Sequence, residues 1–130
     1  MNYVSQCLYA SGIPMDQSGD AQWYWYSDSS RAPAWTGVDS FRDYVMNNSG
    51  YGLCAQTDVP WNSGDIGDVI LMSTAGNYHH AVIITQVVQD ESSGTVDHLI
   101  CSNTGNYRDF PVSAYVYAEQ ELVRIAGWNG

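Results

Sequence analysis

Apolar positions recur along this chain in two periodicities, and between them lie polar stretches studded with rings. From Asn2 to Ser11 the spacing is helical: Tyr3, Cys7 and Ala10 share one stripe, and Val4, Leu8 and Ser11 share the next. Gly12 stands where a helix ends and Pro14 prevents continuation. Asp39 to Met46 predicts a second short helix, with Thr36 and Asp39 at capping-box spacing and Asn47-Asn48-Ser49-Gly50 as its stop. Val69 to Met72 and Ala81 to Val88 are apolar and rich in β-branched residues, the pattern of strands buried on both faces. Met15 to Ala34, carrying Trp23-Tyr24-Trp25-Tyr26, reads as a polar aromatic loop, and residues 51 to 67 read as turns.

His80 to Val88 and Val96 to Asn103 predict an antiparallel hairpin around Asp90-Glu91-Ser92-Ser93-Gly94. Centring the loop near Ser92 makes paired positions sum to about 184, which sets His80 opposite Thr104 with Asn103 adjacent. Val112 to Tyr117 and Glu121 to Ile125 are further strand candidates. The fold class expected is α+β: an N-terminal helix packed on an antiparallel sheet.

Composition narrows the function classes. The 130 residues suit one domain with a real core. Fourteen acidic residues against four arginines and no lysine leave a net charge of −10. Electrostatic binding to nucleic acid or to an anionic membrane is therefore excluded, and at most a cationic partner is favoured. No apolar run approaches the roughly 18 residues of a membrane span. Met1-Asn2-Tyr3-Val4-Ser5-Gln6 has no basic segment, so no signal peptide is read. Cys7, Cys54 and Cys101 form no CxxC pair; one disulfide is allowed but not required, no metal site is expected, and no cofactor is called for. Cys101 lies in an apolar run and reads as a core residue. The five tryptophans and ten tyrosines fall largely in polar loops, where amphipathic rings either contact sugars and peptides or cover the core from outside.

His80 is the candidate for chemistry. At the mouth of a buried strand it is rigidly held and can reach a cleft, and imidazole moves protons near neutral pH; a surface turn histidine would show the same local pattern. An amide at Asn103 beside it would form the base-plus-orienter half of a Cys-His-Asn site, the amide oxygen fixing the imidazole tautomer. Such a site needs a cysteine at a helix N-terminus, where the dipole and the imidazolium lower the thiol pKa.

The run Asn2-Tyr3-Val4-Ser5-Gln6-Cys7-Leu8-Tyr9-Ala10-Ser11-Gly12 closely resembles the helix of the bacterial putative amidase domain family, whose motif reads Asp-Cys-Thr-Asn-Phe-Val-Ser-Gln-Cys-Leu-Tyr-Ala-Gly-Gly. The likeness continues in order through Trp23-Tyr24, Pro33-Ala34-Trp35-Thr36-Gly37-Val38-Asp39-Ser40-Phe41, Gly67-Asp68-Val69-Ile70 and His80-Ala81-Val82-Ile83-Ile84-Thr85. The resemblance implies a papain-like fold and hydrolysis of amide bonds in cell-wall (peptidoglycan) peptides by a secreted or wall-associated parent. It implies His80 as general base and Asn103 at the third catalytic position, where relatives often carry histidine. Trp23, Trp25 and Trp35 are the candidate substrate-binding rings, lining a groove near His80.

One departure matters. The family's nucleophile stands two residues before the position matched by Asn2, so the resemblance places it ahead of Met1. The single domain 1–130 is therefore expected to be incomplete at its N-terminus and inactive. Cys7 lies seven residues beyond that point, on the same face but about 10 Å further along the helix, so it reads as a core residue. The alternative is a catalytically dead module that keeps the cleft to bind peptidoglycan peptides.

Overall fold

The computed structural model describes residues 1–18, 21–48, 50–57, 59–74, 77–89, 96–102, 107–111 and 119–129. The expected strand candidate at 112–117 and the residue Asn103 lie outside them.

The first helix, α1 (Asn2–Ala10), forms as its apolar stripe predicts, burying Val4, Ser5 and Leu8. Its end is a full Schellman motif: Gly12 N–H donates to Tyr9 O (3.1 Å) and Ile13 N–H to Leu8 O (3.3 Å). Gly12 takes φ 109°, which a side chain would resist. Leu8 and Ile13, the apolar pair that accompanies this motif, are both buried.

The stretch expected as loop is more ordered than its polarity suggests. Asp16 bridges Trp23, then β1 (Trp25–Ser27) pairs with β2 (Ser30–Arg31), and a one-turn helix, α2 (Pro33–Thr36), opens on proline. The helix α3 (Val38–Asn47) buries Val38, Phe41, Tyr44 and Val45 at helical spacing. The expected Thr36 cap is corrected: Thr36 closes α2, and Gly37, with extended backbone, is the N-cap of α3 without a side-chain cap bond.

The turn-rich reading of 51–67 is corrected in part, because β3 (Gly52–Gln56) runs through it, followed by a 3-10 turn at Trp61–Ser63. Gly-Leu-Cys-Ala-Gln carries no β-branched residue; it is a strand because its neighbour supplies the hydrogen bonds. β4 (Val69–Thr74), β5 (Asn77–Gln89), β6 (Val96–Ser102), β7 (Tyr107–Pro111) and β8 (Glu119–Asn129) complete an antiparallel sheet in the order β3-β8-β4-β5-β6-β7. The hairpin register matches the expected sum at Ile83↔Cys101 and Ile84↔Ile100, then shifts by one between Ile84 and Gln86, so that Val87 faces His98. The architecture is mixed α and β with antiparallel sheets.

Central β4 is buried on both faces. Val69 and Leu71 join Ala81 and Val123 under α1, α2 and α3, while Ile70 and Met72 join Val82, Ile84, Ile100 and Leu122 on the other face.

The Gly67-Asp68 pair that leads into β4 is a clasp. Asp68 is 5% exposed; one carboxylate oxygen accepts Asp65 N–H (3.0 Å) and the other accepts Ile125 N–H from β8 (2.9 Å). Gly67 N–H donates to Ile84 O and Ile84 N–H to Asp68 O (both 2.9 Å), carrying the β4–β5 pairing past the strand end. Asp68→Ala leaves two backbone donors unmet and should lower unfolding free energy by about 3 kcal/mol, from typical charge-assisted bonds. Urea denaturation checks this; a loss below about 1 kcal/mol would reduce the clasp to a surface contact.

Candidate active site

His80 sits half-buried near the start of β5, paired with Met72 of β4. The next pair is Ser73↔Tyr78, so β5 carries one more residue than β4 at this point. Such bulges re-aim side chains, and they are common beside active sites. Three contacts hold this end of β5. Asp39 Oδ1, in the first turn of α3, accepts Tyr78 N–H (3.0 Å). The Tyr78 hydroxyl bonds Glu121, which receives Arg42 Nε at 2.6 Å, and the Arg42 guanidinium lies 4.7 Å from the Tyr78 ring centroid. His79 Nε2 is 3.1 Å from Thr74 Oγ1.

The start of α1 is the second half of the site. The α-amino group of Met1 lies within electrostatic reach of His80, and both groups are partly buried. His80 is held below its ordinary pKa, first by burial, then by that amino group and by His79. At neutral pH the ring is therefore uncharged and able to accept a proton. The helix N-terminus presents unpaired N–H groups and the positive dipole end, which favour an anion beside the imidazole. A histidine facing a helix start is the arrangement that nucleophile activation requires.

No thiol occupies that position. Cys7, Cys54 and Cys101 are all free and half-buried, which answers the open question of a disulfide. Cys7 belongs to the last turns of α1, at the negative end of the dipole, and burial pushes its thiol pKa up; Cys101 adds to this and a hydrogen bond with Tyr3 opposes it. A thiol so placed keeps its proton at neutral pH. Cys101 is half-buried rather than fully in the core.

The tryptophans are where the sequence reading needs most correction. Trp23 (0% exposed) and Trp35 (2%) lie in the core and do not line a groove. Their rings stack with centroids 4.8 Å apart. Each still meets its polar need: Trp35 Nε1 donates to Asn2 Oδ1 (2.8 Å), Trp23 Nε1 to Ser5 Oγ (3.1 Å), and Ser5 Oγ to Trp35 O (2.9 Å). Two indoles thus clamp the first turns of α1, so they position the helix start that faces His80. Trp25 remains half-buried, with the Arg31 guanidinium 5.1 Å from its ring centroid. Tyr9 (50%) and Tyr26 (60%) are exposed and edge an open depression with Pro14 and Met15, and on β8 Trp128 is exposed as well (50%).

Sequence reasoning missed Asp39 as a tether and the Tyr78–Glu121–Arg42 set. Asp39 was visible only as a weak capping residue, and Glu121 meets Arg42 across 79 positions, a separation with no local signal. Among the described residues no group of three His, Cys, Asp or Glu side chains is arranged to hold a metal ion.

A family model described as Putative amidase domain matches residues 1–126. The chain belongs to that family. No curated protein and no solved structure matches it.

Two outcomes follow from this geometry. In an NMR pH titration the His80 ring should show a midpoint below 6.5, its ordinary value. Since the folded pKa is depressed, His80 contributes stability above that value and loses it as pH falls through it. A midpoint at or above 6.5 would mean the ring is solvated. Trp35→Ala should cost on the order of 3–5 kcal/mol in chemical denaturation, as buried indoles do, whereas a ligand-lining ring would leave stability nearly unchanged.

Proposed function

We propose that this domain has the papain-like architecture of a thiol-dependent amide hydrolase and that its site is built around His80. The single observation carrying this reading is the neutral, half-buried imidazole of β5 set within electrostatic reach of the start of α1. A thiolate held there would gain from the helix dipole and attack a substrate carbonyl carbon. His80, having taken the thiol proton, would pass it to the leaving amine. A water deprotonated by His80 would then cleave the thioester and regenerate the thiol. Asn103 is proposed as the group that orients the ring, and Trp25, the half-buried one of Trp23, Trp25 and Trp35, as a substrate contact. Peptides of the bacterial cell wall are the proposed substrates, and a secreted or wall-associated protein the proposed setting; family membership supports an amide substrate.

Of the three thiols of Met1–Gly130, Cys7 lies six residues along α1, Cys54 in β3 and Cys101 in β6, and none is one of the residues that open the helix. This observation favours a second reading, in which the 130 residues bind such peptides without cleaving them. Both readings predict no appreciable turnover by Met1–Gly130 alone, since His80 without a nucleophile can at most orient water. The test compares that protein with one extended by the codons upstream of Met1, or by an Asp-Cys-Thr segment. Each is assayed on cell-wall peptides with and without a thiol alkylating agent. The hydrolase reading expects alkylation-sensitive turnover in the extended protein alone, about a thousandfold or more above the short one. Binding without turnover in either protein supports the second reading. Alkylation-sensitive turnover by the short protein, abolished in Cys7→Ala, would overturn the placement of the nucleophile at the helix start.

A further inference from the structure

The sheet face turned away from the helices has a thin cover. Val59 and Trp61 pack on its apolar patch, from a stretch between β3 and β4 held by local bonds. Ser63 N–H and Oγ–H both donate to Pro60 O (3.0 and 2.6 Å), and Gly64 N–H donates to Trp61 O (3.3 Å). Beneath this stretch lies His98 of β6, which is 0% exposed. The Trp61 ring centroid is 5.0 Å from that of the imidazole. Gly64 sits directly on the ring: a Cβ there would come within 2.9 Å of Nε2 and 3.1 Å of Cε1. Neither Nδ1 nor Nε2 has a hydrogen-bond partner. Buried side-chain nitrogens without partners are uncommon, and a neutral imidazole bears the cost far better than a charged one.

The carboxylates near the ring already hold backbone donors. Asp97 accepts His98's own backbone N–H (2.9 Å), and both oxygens of Asp68 are engaged by Asp65 and Ile125 N–H groups. On the cover itself, Asp65 is exposed and accepts Ile66 N–H (2.8 Å). The β5 partner is Val87, flanked by uncharged Gln86 and Val88. β8 contributes Leu122; Glu121 alternates to the other face and meets Arg42, while Arg124 follows on the face of Leu122. The β7 side chains from Tyr107 to Phe110 lie outside the described set.

We propose that residues 59–66 form a strap that opens when His98 takes up a proton, making the cover of this sheet face sensitive to pH. Closed, the strap excludes water from a neutral ring. Protonation adds a second N–H donor and a charge to a ring whose nitrogens have no hydrogen-bond partner, and lifting Trp61 and Gly64 lets water solvate them. Burial holds His98 below its ordinary value of 6.5, with Asp97 and Asp68 pulling in the opposite direction. The opened state, with the ring in water, binds the proton more readily. Opening therefore becomes more favourable as pH falls below about 6.5 and levels off below the closed-state value. Val59 and Trp61 also border an open groove with Thr57, Tyr78 and Glu119, so strap opening reshapes a surface next to the strand that carries His80. This behaviour is independent of the amidase reading.

The test is amide hydrogen exchange on the whole protein from pH 7.5 to 4.5, corrected for the intrinsic pH dependence of exchange, together with NMR titration of the three histidines. The expected result is a fall in protection at Ser63, Gly64 and Asp65, whose N–H donates to Asp68, about tenfold per pH unit below the open-state value. α3 amides should show no such change, and the midpoint should coincide with the titration of His98. His79 and His80 lie at the other end of β5, so His98→Gln separates their effects from those of His98: the variant should lose the pH dependence at the strap. Unchanged strap protection while His98 titrates would overturn the proposal. So would uniform loosening of the whole protein, or a midpoint that survives in His98→Gln. Should the variant not fold, the wild-type comparison between strap and α3 decides alone.

Discussion

Everything in this domain leans on a strand that has no solvent side. β4 is flanked by β5 and β8, and its residues from Val69 to Met72 are fully buried, so both faces must be covered at once. Helices cover one face and the 59–66 stretch covers the other. Hydrophobic burial at this strand, typically ~1.5–3 kcal/mol per large aliphatic side chain, keeps β5 in register. Through β5 it sets where His80 stands. A slip of one residue would turn every apolar side chain of β4 to the wrong layer, which is why the register is so strongly specified.

Polar groups inside the core work as locators. Asp16 is fully buried, with one oxygen accepting from Ser18 N–H and Oγ–H and the other from the Tyr44 hydroxyl. Burial and that carboxylate push the Tyr44 pKa far up, so the phenol stays a donor. Asn48 in turn donates to Tyr44 Oη, Tyr51 O and Leu53 O, joining the end of α3 to edge strand β3. Ser5 does the same for α1 through Trp23 and Trp35. Each of these groups is satisfied, as buried polar atoms must be. Among the described residues His98 is the exception, and its cover is a short local segment rather than a packed helix.

The division of labour around the site follows. α1 supplies a helix start, β5 supplies the imidazole, and α3 ties the two layers through Asp39 and Tyr78. Membership in the amidase family accounts for the ordered recurrence of these segments along 126 residues. The surroundings of His80 depend on three elements distant in sequence, and none of them alone sets where the ring stands.

Local pattern by itself determined much of this protein. The Val4/Leu8 stripe with Gly12 after it made α1 legible, because helix faces and Schellman ends are properties of neighbouring residues. The branched runs at Val69 and Ala81, and the hairpin sum carried through Ile83↔Cys101, were legible for the same reason. Tertiary structure alone decided the rest. Trp23 and Trp35 looked like surface rings because their flanks are polar, yet stacking on each other and bonding α1 buries them. β3 has no strand signature and exists because β8 offers a ladder. Thr36 lost its capping role when Pro33 started a turn that consumed it. The surroundings of His80 and His98 come from residues tens of positions away, so the burial that sets whether an imidazole holds its proton is written in the packing and not in the neighbouring letters.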